Sequence, residues 1–458
     1  MQKKLHSQLL VGLVLLLCFS TAQAQFSLTG QLRTRSELRD GQGTLLGKKA
    51  VPAFFTSQRT RLNFGYTGHR FKIFTSVHDV RIWGQDASSI NRITLDANDG
   101  LMIHEAWGEI MLLDTSAALE NLSLKIGRQE LVYDDVRLLG NLDWLQQGRR
   151  HDLALLKLED HGWMAHLGFA FNQNRELKSG GVYNGTPAGY AAGTNSIGTL
   201  YKSMQFLYLG RKISTGNASI LFLKDDFNKY HMEETNKVYD RGVWSRFTTG
   251  AYLSTTALKK LNLTASAYYQ GGKDKDGRNM DAYLLSAYTL YPVIKNLSIG
   301  PCIDYTSGNN TASASNTNRQ FDPLYGTPHK FWGAMDYFYV ADGFGKSGLV
   351  DYYLRGRYKA SSKLLVSIDA HQFTASNKVT GGDGVELDRN FGTELDFTAT
   401  YSLTKIISLE GGYSSFFATP SLASTGVKNV SNADLQANWA YLMINIKPDF
   451  LSKVEVGR

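Results

Sequence analysis

From residue 25 onward, apolar and polar residues alternate over stretches of roughly ten residues, and clusters of Gly, Asn, Asp and Ser separate the stretches. In the stretch 348–359, Tyr352 and Leu354 occupy one phase, whereas Arg355 and Arg357 occupy the other. Such a period of two is typical of β-strands whose two faces meet different surroundings. Each predicted strand therefore has one apolar face and one ionic face.

This alternation predicts eighteen strands, and the lengths of the links between them carry further information. The links after odd-numbered strands contain 8 to 41 residues, and those after even-numbered strands contain 2 to 7. Bacterial outer-membrane barrels combine an even number of antiparallel strands with short periplasmic turns and longer external loops. The sequence thus predicts an all-β transmembrane antiparallel barrel with both termini in the periplasm. A soluble β-sandwich or propeller would leave the order of the links unexplained. The predicted strands are 26–38, 57–67, 70–82, 103–113, 121–129, 151–159, 162–172, 200–210, 217–225, 243–254, 260–270, 279–290, 296–306, 348–359, 363–374, 391–401, 405–416 and 436–447.

The first residues are typical of an export signal. Lys3 and Lys4 precede an apolar run of eleven residues, and small residues in an A-x-A spacing end at Ala24. We therefore expect a signal peptide at 1–24 and the barrel at 25–458. The run is too short for a spanning helix, which needs about 20 residues. Cleavage would leave Cys302 as the single cysteine, so no internal disulfide is expected.

The ionic faces of the strands are expected to point into the barrel, because an Arg or Lys that faces lipid at the midplane costs roughly 2–4 kcal/mol. A barrel of 16–18 strands is wide enough for an aqueous channel. The arginines could contact an anionic solute, or they could only neutralise neighbouring carboxylates. The mature chain has 47 basic and 41 acidic residues, which favours anions. The inward phase contains Arg33, Arg35, Arg59, Arg61, Glu105, Glu109, Arg355 and Arg357.

The densest passage of polar and aromatic residues lies at 127–152, where GRQ is followed by DD-x-R, G-N, W and R. Together with His104–Glu109 and the sequence RTRL at 59–62, this pattern resembles the alginate export family of outer-membrane barrels, most strongly over 26–172. The resemblance implies a monomeric barrel of eighteen strands with an arginine-rich constriction that conducts an anionic uronate polymer. The matching motifs transfer a lining role to Arg59, Arg61, Glu105, Arg128, Asp134, Asp135 and Arg137.

Catalytic and metal sites are weakly indicated. His161 and His166 lie five residues apart, on opposite faces of a strand, and no His or Cys spacing suits a metal. Neighbouring pairs such as His104 and Glu105 would point apart in a strand. We therefore predict no enzyme, metal or cofactor, and keep an outer-membrane hydrolase as the alternative of another class. Nucleic acid is not an expected partner, because the basic residues face a lumen.

The predicted function is an outer-membrane channel for anionic saccharides, either a uronate polymer or its oligomers. A general anion-preferring porin for small solutes is the closest alternative, and an adhesin that uses the link 307–347 is another. The expected partners are an anionic polysaccharide or oligosaccharide and outer-membrane lipid, and the sequence leaves open whether there are periplasmic partners. The link 130–150 contains Leu138, Leu139, Leu142 and Trp144. We expect it to fold into the barrel and narrow it, with a cap over the mouth as the alternative.

Overall fold

The computed structural model describes residues 25–84, 101–113, 119–172, 200–310, 315–340 and 346–451, so the predicted signal peptide lies outside the described residues. One antiparallel sheet dominates this part of the chain. The barrel strands are β1 (Gln25–Asp40), β2 (Ala53–Gly68), β3 (Phe71–Ile82), β4 (Met102–Met111), β5 (Asn121–Gln129), β6 (His151–Asp160), β7 (Trp163–Phe171), β8 (Ser203–Ile213), β9 (Gly216–Glu233), β10 (Asn236–Ala257), β11 (Leu261–Lys273), β12 (Asn279–Ile294), β13 (Leu297–Thr306), β14 (Leu349–Lys359), β15 (Leu364–Thr374), β16 (Asn390–Ser402), β17 (Ile407–Ala418) and β18 (Gln436–Ile446).

The sheet closes on itself, because β1 pairs with β18 in antiparallel register, with Leu32 opposite Ile446. Of the nineteen strands in the sheet, eighteen form the barrel, and the nineteenth is the two-residue Thr317–Asn318, which joins β12 in parallel. Closure leaves no unpaired edge. The predicted fold is confirmed, since each predicted stretch corresponds to one barrel strand.

Short elements accompany the barrel. Val379–Thr380 pairs with Glu386–Leu387 in a separate ribbon. A 3-10 helix covers Pro328–Lys330, and the short helix α1 covers Pro420–Ala423. Among the described residues, no helix is long and apolar enough to span a membrane.

The link between β9 and β10 differs from the prediction. The sequence predicted a loop over 226–242, but β9 continues to Glu233 and β10 begins at Asn236, so only two residues form the turn. The long and short order of link lengths therefore fails at this position. The added residues are mainly polar and aromatic, because a hairpin that extends beyond the barrel needs no apolar face for lipid.

The exterior of the barrel is apolar, as β14 illustrates. Leu354 is 53% exposed, whereas the side chain of its neighbour Arg355 is 21% exposed and paired with a carboxylate inside. Large exposed apolar side chains follow the same phase on other strands, including Leu32 and Leu395. An apolar outer surface on a closed barrel is the form that satisfies backbone polar groups in lipid. The protein is thus an outer-membrane barrel.

The apolar core lies where two long links enter the barrel. We call residues 130–150 loop A and residues 307–348 loop B. Leu139 of loop A forms a parallel bridge with Tyr325 of loop B, and both side chains are buried. Loop B adds Trp332 and Phe338, which are also buried. The extracellular half of the barrel is therefore packed with loop residues and does not form an open tube.

Candidate functional site

Loop A is held inside the barrel by arginines of β1 and β2. Arg33 Nε donates to Gln146 Oε1 at 2.9 Å, and Arg33 Nη1 lies 3.2 Å from Asp143 Oδ2. Arg59 Nη2 donates to Asp143 Oδ1 at 2.7 Å. Two arginines from adjacent strands thus bind one loop carboxylate. The predicted entry of loop A into the barrel is confirmed.

Arg35 extends this attachment towards the extracellular end. Its Nη1 donates to the carbonyl oxygen of Trp144 at 2.8 Å, and its guanidinium lies 4.0 Å from the centroid of the Trp144 ring. On the strand side, Arg35 Nε donates to Glu37 Oε1 at 2.8 Å. A loop that lacks regular structure has backbone carbonyls without partners, and guanidinium groups supply the donors.

The prediction that Arg33, Arg35 and Arg59 line an open channel is wrong in one respect. Their side chains do point inward, but each residue is at most 3% exposed because loop A covers it. A buried arginine needs hydrogen-bond acceptors, and here loop A provides several of them, together with Glu37 and Gln31 of β1. These three arginines therefore bind the protein's own loop.

Asp143 is the exception in this cluster, since its side chain is 45% exposed. Burial alone would raise its pKa, but the charges of Arg59 and Arg33 outweigh that effect and hold the pKa below its ordinary value. The carboxylate is therefore ionised at neutral pH. It presents a negative charge at the surface of loop A.

Arg137 fixes the other half of loop A. Its Nη1 lies 2.9 Å from Asp304 Oδ1 on β13, and its Nε lies 3.5 Å from Asp135 Oδ2. The guanidinium also lies 3.8 Å from the centroid of the Phe331 ring in loop B. Arg137 is 1% exposed, so the lining role predicted for Asp135 and Arg137 is replaced by a structural one. Together the two residues clamp loop A between loop B and the wall.

Asp134 is partly buried and has no cationic partner in the described contacts. Tyr208 and Ser219 each donate a hydroxyl hydrogen bond of 2.8 Å to Asp134 Oδ1. Burial raises the pKa of Asp134 to about 6, although the two hydroxyl bonds oppose the change. Asp134 therefore also serves the attachment of loop A rather than an open lining.

Arg61 and Glu105 meet at the beginning of loop A. Glu105 Oε1 accepts the backbone N–H of Glu130 at 3.0 Å and the indole N–H of Trp107 at 3.2 Å. Arg61 Nη1 lies 3.8 Å from Glu130 Oε1. The two residues point inward as predicted, and they help to position the first residue of the loop.

Glu109 belongs to the wall below loop A. It accepts Ser123 Oγ at 2.7 Å and Lys157 Nζ at 3.2 Å, and the residue is 5% exposed. The predicted inward phase is correct. Its charge is balanced by Lys157 of β6, two strands away, which is the neutralising role that the sequence left open.

The prediction for Arg128 is wrong. The inward phase of β5 contains Ser123 and Gln129, so Arg128 shares the outward phase with Ile126, which is 49% exposed. Arg128 forms two hydrogen bonds, of 2.8 and 2.9 Å, with Asp152 on the same face of β6. The lining role of Arg128 was inferred from the motif resemblance alone, which does not take into account the face of the strand on which the residue lies. Its position near the end of the strand, together with its carboxylate partner, makes an outward arginine tolerable.

Arg355 and Arg357 form a different kind of arginine site on β14. Both bind Asp369 of β15, with N–O distances of 2.9 Å for Arg355 Nη2 and 2.8 Å for Arg357 Nη1. Their side chains are 21% and 28% exposed. Two guanidinium groups thus share one carboxylate, which leaves an excess of positive charge on an accessible inward surface.

Lys330 adds a third cation to this region, and sequence analysis missed it. It is exposed on the 3-10 helix of loop B, and its Nζ donates to the carbonyl oxygen of Asp135 at 3.1 Å. Partial loss of water around its ammonium group lowers the pKa of Lys330. The carboxylate of Asp135 opposes this change, and the charges of Arg137 and Arg355 add to it. No sequence pattern signals this contact, because loop B has no periodicity. We call Lys330, Arg355 and Arg357 the β14 cationic patch.

An aromatic group joins the two loops to the wall. Trp144 of loop A stacks on His329 of loop B, with ring centroids 4.1 Å apart, and meets Tyr441 of β18 edge-on at 5.2 Å. All three residues are partly exposed. The tip of loop A therefore presents aromatic surface next to Asp143.

Two histidines of the predicted His–acid pairs, His104 and His151, have structural partners. His104 Nε2 lies 2.6 Å from Glu130 Oε1, and His151 Nδ1 lies 2.8 Å from Tyr201 Oη. No group of three or more His, Cys, Asp or Glu residues in the described part of the chain could hold a metal ion. The adjacent His and acid pairs of the sequence do not form catalytic dyads at these two positions.

Comparison with known proteins shows which family and which solved structures this barrel is similar to. The family model for alginate export matches residues 24–170. No curated protein matches the sequence. OccAB4 of Acinetobacter baumannii superposes with a TM-score of 0.59 at 14% identity, covering 93% of this chain and 99% of that one. OccK11 (OpdR) of Pseudomonas aeruginosa gives 0.54 at 12%, covering 93% and 96%.

OccD3 (OpdP) of Pseudomonas aeruginosa gives a TM-score of 0.56 at 11% identity, covering 94% of each chain. Identities this low establish the fold alone. The family match and the fold together point to a channel protein rather than an enzyme. The chain is an outer-membrane β-barrel channel for solutes, and its residues 24–170 are similar to the alginate export family.

Proposed function

We propose that the barrel conducts anionic saccharides, uronate chains or their oligomers, past the β14 cationic patch. The observation that carries this proposal is the sharing of Asp369 by Arg355 and Arg357, which leaves guanidinium donors accessible from the lumen. A guanidinium presents a planar fork that matches a carboxylate. Exposed Lys330 adds a third positive charge, which the nearby carboxylate of Asp135 offsets in part.

The selective surface differs from the one that the sequence suggested. Arg33, Arg35 and Arg59 are occupied by loop A and cannot bind a passing solute while the loop is in place. The exposed carboxylate of Asp143 opposes the cations. Anion preference is therefore expected to be moderate rather than absolute.

A saccharide is favoured over a simple anion by the aromatic tip of loop A. Trp144, His329 and Tyr441 offer partly exposed ring surface within the lumen. Aromatic side chains bury apolar surface while their edges accommodate polar groups, which suits the mixed surface of a sugar ring.

The test is a recording of single channels in planar bilayers. The reversal potential in a KCl gradient should show a moderate preference for chloride, and trigalacturonate should block the current at millimolar concentration more strongly than maltotriose. Equal block by the neutral sugar would reject the saccharide carboxylate as the recognised group. Block by acetate as strong as that by trigalacturonate would instead identify a porin for small anions.

A further inference from the structure

A pocket of about 100 Å³ lies at the extracellular end of the barrel, away from the loop A site. It is lined by residues just before β8, by the extended β9–β10 hairpin and by the turn after β11. Three lysines and three aromatic residues dominate its lining. They are Lys202, Lys237, Lys275, Phe227, Tyr230 and Tyr239.

Lys202 is the unusual member of this lining. The residue is 6% exposed, and its Nζ has no hydrogen-bond partner among the residues that the structure describes. Its closest described aromatic neighbour is Phe171, with Nζ 4.9 Å from the ring centroid. Burial lowers the pKa of Lys202. An ammonium buried without a partner is costly, and an anion bound beside it would remove that cost.

The other two lysines share one carboxylate. Lys275 Nζ lies 2.8 Å from Asp276 Oδ2, and Lys237 Nζ lies 3.8 Å from Asp276 Oδ1. Tyr230 Oη also donates to Asp276 at 2.7 Å. Since Asp276 can offset only one of the lysine charges, the pocket keeps an excess of positive charge.

We propose that this pocket binds one carboxylate of the solute at the extracellular mouth of the channel. The pocket is open to solvent and has room for several water molecules. It can therefore accept a carboxylate and the adjoining part of a sugar ring. The tyrosine and phenylalanine rings form the walls against which the ring carbons pack. This inference rests on the proposed function for its physiological meaning, but it concerns a separate site.

The test measures binding of galacturonate to the purified full-length barrel in detergent by calorimetry. Lys202→Met removes the charge and keeps an unbranched side chain, and it should weaken binding at least tenfold. Lys275→Met should weaken binding less, because Lys275 has its own partner in Asp276. Lys378→Met is the matched control, since Lys378 is exposed and pairs with Glu386 on a different extracellular link. The control should bind like the wild type.

Three results would overturn the proposal. These are unchanged affinity in both the Lys202 and Lys275 variants, equal binding of the uncharged methyl ester of galacturonate, and binding of inorganic phosphate without binding of galacturonate. The last result would point to phosphate groups of lipopolysaccharide as the occupant. Resistance of each variant to SDS without boiling verifies that the barrel is folded.

Bilayer recordings separate this site from the proposed function. If the proposed function and the pocket site are both correct, the Lys202→Met channel keeps its anion preference. Its block by galacturonate is then lost only when galacturonate is added on the extracellular side. A wild-type channel without anion preference, in which galacturonate still binds through Lys202, would reject the proposed function and retain the pocket. A wild-type channel that prefers anions, together with a Lys202→Met variant that galacturonate blocks normally from both sides, would retain the proposed function and reject the pocket.

Discussion

The arginines of β1 and β2 and those of β14 carry the same sequence pattern but have different surroundings. Arg33 and Arg59 lie on strands with an inward polar phase, as do Arg355 and Arg357, and all four point inward. The first pair is covered by loop A and is at most 3% exposed, whereas the second pair has side chains 21% and 28% exposed. The phase of a strand thus determines the face on which a charge lies, and the loop above it determines whether a solute can reach that charge.

The two arginine pairs also differ in where their carboxylate partner lies, in a loop or in the barrel wall. Asp143 reaches Arg33 and Arg59 from a loop and can leave them only if the loop moves. Asp369 lies on β15, within the wall itself, and binds Arg355 and Arg357 without covering them. Loss of charge at the first pair should therefore affect loop position, and loss at the second pair should affect ion preference.

The largest effect is expected from replacing both Arg33 and Arg59 by Met. The variant leaves Asp143 and the facing carbonyl groups without donors, at a cost of about 2–4 kcal/mol in the attachment of loop A. Single-channel conductance should rise because the loop is released, while the barrel still resists SDS. Arg39→Met is the control, since Arg39 binds Glu37 and is partly exposed. Unchanged conductance in the double variant would show that the arginines do not hold the loop.

The next effect concerns Arg355→Gln combined with Arg357→Gln. The variant should lose most of its preference for anions and its block by trigalacturonate, while conductance changes little, because loop A keeps its anchors. The reversal potential in a KCl gradient provides the measurement. Lys359→Gln, on the same strand but exposed at its periplasmic end, is the matched control. If the double variant kept its preference for anions, the β14 cationic patch would not determine the ion preference of the channel.

Asp134 and Asp143 are two carboxyl groups of loop A whose pKa values are shifted in opposite directions. The pKa of Asp134 is raised to about 6 by burial, whereas that of Asp143 is lowered by its two arginines. Ionised Asp134 therefore penalises the attached loop as pH rises from about 4 to 6. Asp134→Asn should remove the penalty and stabilise loop A by about 1–3 kcal/mol above pH 6, with no gain near pH 4.

This gain can be measured by protection of loop A from proteolysis across that pH range. Asp143→Asn should have the opposite effect, because it removes a carboxylate that is ionised and paired throughout the range. A stabilising effect of Asp143→Asn at neutral pH would contradict the role given to the arginine pair.

The smallest effect is expected at Arg128. Its pair with Asp152 is largely exposed on the outward face, and pairs of this kind contribute about 0–1 kcal/mol. Arg128→Gln should leave conductance, reversal potential and block unchanged. A shift in reversal potential comparable to that of the β14 variant would place Arg128 in the lumen after all.

The strands could be predicted because lipid imposes a rule that local sequence must obey. Each lipid-facing position, such as Leu354, has to be apolar, so a period of two survives along the barrel. The rule does not apply to strand segments that extend beyond the membrane. The outer parts of β9 and β10 have no lipid-facing requirement, and a loop was predicted in their place.

The site was less predictable, because its contacts join distant parts of the chain. Asp143 lies 110 residues from Arg33 and 84 from Arg59, and Arg137 is paired with Asp304 across still more of the chain. The apolar residues of loop A did indicate burial inside the barrel. Nothing in the sequence, however, indicated which arginines the loop would cover, so covered and open arginines could not be distinguished.

The pairing of β1 with β18 has a consequence for how the barrel is made. Gln31 Nε2 donates to Asn445 Oδ1 at 2.8 Å across 414 residues of sequence, and Trp439 Nε1 donates to Glu37 Oε2 at 3.2 Å across 402. These contacts require the last strand to be present before the first strand has both of its neighbours. Contacts so distant in sequence are expected to form slowly. Closure of the barrel therefore depends on its last strand, and loops A and B are fully enclosed only when β18 pairs with β1.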